Sequence, residues 1–336
     1  MTSRCEPNST HSCLAHTRAY LDGVVVAEGF PVDDISDHLA VAGTVVWLDL
    51  EDPDRDDLRV ITEELGLHPL AVEDAVNDRQ RPKLDHYDDH LFLNTYLVRF
   101  DPASGELSTA EIAAFVTERA LVTVRKDRTV DVQELLDRWD GTKSLAGSGV
   151  GFLLHGMLDV VVDGHFAVVQ DLDEAIEALE ELLFDPSGRS EELQRRSFEL
   201  RKALVGLRRV VLPMRELVNG LLRRDLAVVD PVMQPYFQDV YDHVLRAAEW
   251  TESLRDLVST VLETNLTLQG NRLNETVRKL TAYAAILAVT TAITGFYGQN
   301  VPYPGFQQTF GFYASLMLLV GSVVGLYAFF KRRNYL

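Results

Sequence analysis

The hydrophobic rhythm of the chain changes along its length. Between residues 20 and 145, short apolar runs such as GTVVWLDL (43–50) and ALVTVRKD (120–127) alternate with amphipathic stretches such as DDLRVITEELG (56–66) and VDVQELLDRWDG (130–141). Runs of that length rich in Val and Leu predict buried strands, and the 3.6-residue spacing predicts helices. Residues 20–145 therefore read as an α/β domain, preceded by a polar tail over 1–19. From Gly149 onward the spacing is helical, giving a helical region over 146–235. FAVVQDLDEAIEALEELLF (166–184) stops at the DPSG turn (185–188), and SEELQRRSFELRKALVGLRRVVLPMRELVNGLLRRD (190–225) carries Pro213, where a kink is expected. No proline lies between Pro235 and Pro302, so residues 236–297 predict one unbroken helix. At about 1.5 Å per residue it would be roughly 93 Å long, far more than a bilayer needs.

Two charge-free segments follow one another: LTAYAAILAVTTAITGFY (280–297) and FGFYASLMLLVGSVVGLYAFF (310–330). Each matches the ~20 residues that cross a ~30 Å hydrocarbon core. Arg278 and Lys279 precede the first, and the basic tail KRRNYL (331–336) follows the second. Positive flanks stay in the cytoplasm. The prediction is a multi-pass protein of the cell's inner (plasma) membrane with both termini cytoplasmic and membrane lipids around the spans. The link GQNVPYPGFQQT (298–309) is then extracytoplasmic, with Tyr297, Tyr303 and Phe306 at the membrane interface.

Charge sharpens the division. The net charge is −19, and residues 280–336 hold three cations and no Asp or Glu, so the first 279 residues carry −22. A body this acidic disfavours nucleic acid and favours cations. Cys5 and Cys13 lie with His11 and His16 in the tail, at a spacing that matches no zinc pattern. No GxxxxGK[ST] loop, GxSxG elbow or HExxH helix is present, so enzyme chemistry is not expected.

A stripe with alternating three- and four-residue spacing runs down the long helix. It comprises Asp256, Thr260, Glu263, Thr267, Gly270, Asn274, Val277, Thr281, Ala284, Ala288, Thr291 and Gly295. The period is that of a coiled coil, but the residues are small or polar instead of Leu and Ile. Such a face permits either close packing of two helices or a water-filled lumen. Acids at Asp256 and Glu263 favour the lumen, which two spans per chain can enclose only in a cyclic homo-oligomer. Leu280, Tyr283, Leu287, Ile293 and Phe296 are the expected lipid-facing residues.

YGQN (297–300), directly after the first span, resembles the Gly-x-Asn signature of CorA-type divalent-cation channels, usually Tyr-Gly-Met-Asn. LNETVRKLT (273–281), YFQDVYDHV (236–244), HPLAVEDAVNDRQRPKLD (68–85) and the tail KRRNYL are similar to segments of the same family, and the likeness runs from about residue 40 to the end. The resemblance implies an α/β cytoplasmic domain, a long α-helical stalk and two transmembrane helices, assembled as a funnel-shaped homopentamer. It implies that Gly298, Gln299 and Asn300 form the outer mouth, where carbonyls and amides hold a hydrated ion. It places the pore lining on Asn274, Val277, Leu280 or Thr281, Ala284, Ala288 and Thr291, and the expected lining also takes in Tyr297 and, from the stripe, Glu263. It also assigns cytoplasmic divalent sensing to Glu73, Asp74 and Asp239. Mg²⁺ sheds water reluctantly, so neutral acceptors that bind its water shell let it pass, where a carboxylate ring would hold it.

The chain departs from the family pattern in three ways. Gln299 replaces Met, the outer loop has no acid, and Val277 and Ala288 occupy positions familiar as bulkier gates, which leaves Val277 and Leu280 as the expected constriction. The expected function is Mg²⁺ uptake gated by cytoplasmic Mg²⁺. A Zn²⁺, Co²⁺ or Ni²⁺ transporter on the same scaffold is the alternative, and a non-conducting membrane-anchored cation sensor is a third reading.

Overall fold

A computed structural model describes residues 3–4, 14–55, 57–77, 80–126, 130–184, 190–223, 228–299 and 302–336. The chain divides into two units, Met1–Thr260 and Val261–Leu336.

The first unit is built on one eight-stranded sheet, ordered β1-β2-β4-β8-β7-β6-β5, with β3 added against β2. The strands are β1 (Ser3–Arg4), β2 (Leu14–Leu21), β3 (Val24–Glu28), β4 (Thr44–Glu51), β5 (Lys83–His86), β6 (Leu91–Asp101), β7 (Glu106–Val116) and β8 (Ala120–Arg125). Only the central β4–β8 pair is parallel; every other described pair is antiparallel. Alternation along β4 sets the two faces. Val46, Leu48 and Leu50 pack with Ile35 of α1 (Ile35–Ala40), Leu58 and Ile61 of α2 (Asp57–Leu65), and Ala71 and Ala75 of α3 (Pro69–Val76). Trp47 turns the other way, among Leu135 and Trp139 of α4 (Val132–Gly141), Phe152 and Met157 of α5 (Val150–Leu183), Met214 of α6 (Ser190–Leu221) and Phe237 of α7 (Gln234–Tyr297). The unit is thus a sheet covered by helices on both faces, an α/β arrangement with one core on each side.

Two expectations change. Residues 146–235 are not a separate helical region: α5 and α6 share a core with the sheet, because their apolar faces need it. The segment expected as tail is strand from Leu14, since Ala15 and Ala19 fill the core and Thr17 donates to the Phe30 carbonyl. His16 sits on that strand, whereas Cys5, His11 and Cys13 lie outside the described residues. The long helix expected to carry Pro213 is α6, which contains it.

α5 is apolar enough to cross a membrane, yet 67% of its most apolar window is buried inside the unit. Hydropathy alone cannot separate a core helix from a span; burial does. The apolar window of α7 and that of α8 (Thr309–Arg332) are 6% and 0% buried. α7 starts at Gln234 with Pro235 in its first turn, where a missing N–H costs nothing, and runs unbroken for 64 residues.

Candidate ion pathway and cytoplasmic carboxylates

Every residue of the three-four stripe on α7, from Asp256 to Gly295, is exposed in the single chain. The side of α7 that the second unit itself covers is elsewhere. Ala282 is fully buried, Ala285 and Ile286 are half-buried, and Ile293 and Tyr297 line a cleft with Phe312, Leu316 and Leu319 of α8. Val277, Ala284, Ala288 and Gly295 stand nine positions from Ile286, Ile293, Tyr297 and Ile286 respectively. At about 100° per residue that is half a turn. The stripe therefore points away from the chain's own second helix. A Cβ added at Gly295 would meet nothing within 4 Å, so nothing in the same chain requires its missing side chain. Close packing of α7 on α8 does not explain the stripe.

The hydroxyls on this face have a fixed polarity. Thr267, Thr281 and Thr291 donate to the carbonyls of Glu263 (2.9 Å), Val277 (2.8 Å) and Leu287 (2.8 Å) on their own helix. A hydroxyl has one hydrogen, so each then offers only lone pairs to its surroundings. A column of outward acceptors suits the water shell of a cation.

The other predicted pathway residues distribute unevenly. Asn274, Val277, Leu280, Thr281, Ala284, Ala288, Thr291 and Glu263 are all exposed. Leu280 is offset from Val277 by about 60° and sits on the flank with Leu287, both about two-thirds exposed. Ile293, expected to face lipid, instead faces α8, because Phe312 and Leu316 close over it. Tyr297, expected in the pore lining, instead points into the same cleft and packs edge-on against Tyr303 at 5.1 Å. Tyr303 in turn meets Phe306 at 5.4 Å, so the three rings expected at the interface form one cluster. Gly298 does not take a positive φ; its N–H donates to the Thr294 carbonyl (2.9 Å), and a Cβ there would lie 3.0 Å from that oxygen. Gln299 is exposed, and its N–H donates to the Phe296 carbonyl at 3.3 Å. Asn300 lies outside the described residues.

The predicted sensing acids do not meet within one chain. Asp74 accepts from Lys83 at 2.6 Å, Glu73 lies 3.9 Å from Arg55, and Asp239 lies 3.5 Å from His243 one turn along α7. Among the described residues, no group of three or more His, Cys, Asp or Glu is arranged to hold a metal ion. The structure does give Asp239 acidic company that sequence reading missed. His155 on α5 feels both Asp159 and Asp239, and Arg138 forks to Asp159 and Asp163, each at 2.6 Å. Burial, opposed by Arg138, keeps the Asp159 carboxyl above the usual carboxylate range, and burial, opposed by Asp159 and reinforced by Arg138, lowers His155. Acids within the apolar run LDVVVDG (158–164) were the available signal.

A family model described as "CorA-like Mg2+ transporter protein" matches residues 42–332. The cobalt/magnesium transport protein CorA of Thermotoga maritima is 28% identical over 300 residues, covering 88% of this chain and 84% of that protein. The zinc transport protein ZntB of Yersinia enterocolitica is 23% identical over 305 residues, covering 89% and 90%. The solved CorA magnesium transporter of Methanocaldococcus jannaschii superposes with a TM-score of 0.76 at 21% identity, covering 96% of this chain and 98% of that one. The α/β unit, the long helix and the two apolar helices accordingly make up the CorA fold, and the chain belongs to the CorA-like Mg²⁺ transporter family, whose members are ion transporters and not enzymes.

Proposed function

We infer that this chain forms a homo-oligomeric, pentameric channel that admits Mg²⁺ along the exposed stripe of α7. The observation that carries the reading is the orientation of that stripe. It is small, acceptor-lined and half a turn away from α8, so it is free to line an axis shared by several copies. Val277 and Leu280 narrow the path, Ala284, Ala288 and Thr291 leave room for a hydrated ion, and Glu263 and Asn274 continue it toward the cytoplasm. At the outer mouth, Gly298, Gln299 and Asn300 supply neutral acceptors. A membrane potential of 100 mV drives a divalent ion inward with about 4.6 kcal/mol.

Cytoplasmic Mg²⁺ closes the path by bridging Asp239 of one copy to acids of the next, Glu73 and Asp74 among them. This reading is supported by the Asp239 side chain, which is about two-thirds exposed and so open to a neighbouring copy. Loss of the ion leaves carboxylates repelling one another and favours opening.

The test is ion uptake into vesicles holding the purified protein, with Mg²⁺, Co²⁺, Ni²⁺ and Zn²⁺ compared. Mg²⁺ flux that is lost in Asn300→Ala and suppressed by Mg²⁺ on the cytoplasmic face is expected. Zn²⁺ flux without Mg²⁺ flux would move the chain to the function of its zinc-transporting relative and implicate Gln299. No flux of any ion from a verified oligomer would leave a cation sensor.

A further inference from the structure

We propose that the cytoplasmic end of the two-helix unit binds the headgroups of anionic phospholipids, through Arg278 of α7, which Tyr335 packs against, and Lys331, Arg332 and Arg333 at the end of α8. The proposal rests on α7 and α8 spanning a membrane, and not on which ion is carried.

Arg278 precedes the first span and the other three cations follow the second, and the fold carries Tyr335 back to Arg278. Asn334 adopts a positive φ of 55° and the Tyr335 N–H donates to the Phe330 carbonyl at 2.9 Å, which turns the segment after α8 back on itself. The Tyr335 ring then lies 5.9 Å from the Arg278 guanidinium of α7. Lys331 stands 5.9 Å from the Tyr327 ring and Arg333 5.8 Å from Phe329. A cation over a ring face keeps its N–H groups available for other acceptors. Among the described residues, none of the four cations is paired with a carboxylate. Lys279 differs, since Glu275 holds it at 2.8 Å.

The charge distribution gives this cluster its meaning. No acidic side chain follows Glu275, whereas the first 279 residues carry −22. The acidic body repels an anionic surface, and the base of the helix pair is where such a surface is attracted. Tyr283, Tyr327 and Phe329 are exposed beside it, the ring types that settle at the headgroup boundary. Four cations next to a span are the electrostatic footprint of an anionic lipid site. Inorganic phosphate shares the headgroup chemistry but offers nothing to Tyr283 or Tyr327, so the lipid is the ligand.

The test uses the full chain in phosphatidylcholine vesicles containing a spin-labelled phosphatidylglycerol or phosphatidylcholine probe, read as the fraction of label immobilised on the protein. The phosphatidylglycerol label is expected to associate on the order of fivefold more strongly. The preference should fade at high salt, disappear in R278Q/K331Q/R332Q/R333Q and persist in R201Q/K202Q/R209Q, which removes exposed cations of the first unit. The single variants R278Q and R332Q should each weaken it, which covers a quadruple variant that fails to insert. Equal association of the two labels, a preference that survives in the quadruple variant, or full displacement by millimolar inorganic phosphate would overturn the proposal. Flotation with pure phosphatidylcholine vesicles checks the spanning reading separately: a chain that does not float loses both.

Discussion

Single residues in the α/β unit carry well-defined penalties. His165 on α5 is fully buried, its Nε2 is 2.8 Å from the Tyr96 carbonyl, and burial pushes its pKa down to about 4. An unfolded chain takes up the proton near pH 6.5, so the unfolded state binds more protons below that pH. The stability contribution is complete above about pH 6.5 and declines as pH falls toward 4, by about 3 kcal/mol in all. Denaturant titrations at pH 7 and pH 4.5 should show this loss, and His165→Gln should flatten it. Gly156 meets a different constraint: a Cβ there would lie 2.4 Å from Trp139 Nε1, which donates to the Leu153 carbonyl at 3.1 Å. Gly156→Ala must displace Trp139 from its edge-on contact with Trp47, and is expected to cost about 1–3 kcal/mol in the same titration. Arg125 donates to both oxygens of Asp49, with both side chains buried, so Arg125→Ala strands a buried carboxylate. That change should be the most damaging of the three, at about 3–5 kcal/mol.

At the scale of the element, α7 belongs to two environments and keeps one period. Its first turns give Phe237, Val240 and Val244 to the core of the α/β unit, and its apolar window is left almost entirely uncovered. In the proposed channel, its uncovered polar stripe faces water and its uncovered apolar flank faces lipid. Thr291→Val keeps the shape and removes an outward acceptor. Its hydroxyl bonds only its own helix, so the fold is expected to survive while Mg²⁺ uptake into vesicles falls severalfold. The helix was legible in the sequence because Pro235 and Pro302 bracket it and because its stripe has a single period. The direction of the stripe was not, since that depends on which side α8 covers.

At the scale of the whole molecule, the proposed channel puts Ala288 of one copy near Ala288 of another around a shared axis, whereas Ile293 faces its own α8. In a chain with Cys5 and Cys13 changed to Ser, Ala288→Cys should form disulfide-linked dimers on mild oxidation in the membrane, and Ile293→Cys should not. Efficient linking through Ile293→Cys alone would reverse the assignment of the lumen. If Asp239 belongs to the proposed bridge, Asp239→Asn removes one of its carboxylates and should leave Mg²⁺ uptake active at cytoplasmic Mg²⁺ concentrations that silence the unaltered chain.

By itself, the sequence determined what local chemistry determines. It set the strands around Trp47 and Val122, the long helix, the two charge-free segments, and the Gly-x-Asn signature with its acidic body and basic flanks. Those features need only side-chain type and spacing. The tertiary structure decided what depends on burial and on contacts distant in sequence. It made α5 a core helix although its hydropathy equals that of a span, because the sheet face covers it. It drew Leu14–Ala19 out of the expected tail and into β2, because β4 offers a free edge to pair with. It turned Ile293 and Tyr297 toward α8 and left Ala284, Ala288 and Gly295 uncovered, and it carried Tyr335 back to Arg278. Periodicity places residues on a common face of a helix; only the packing of a second element shows which face is already taken.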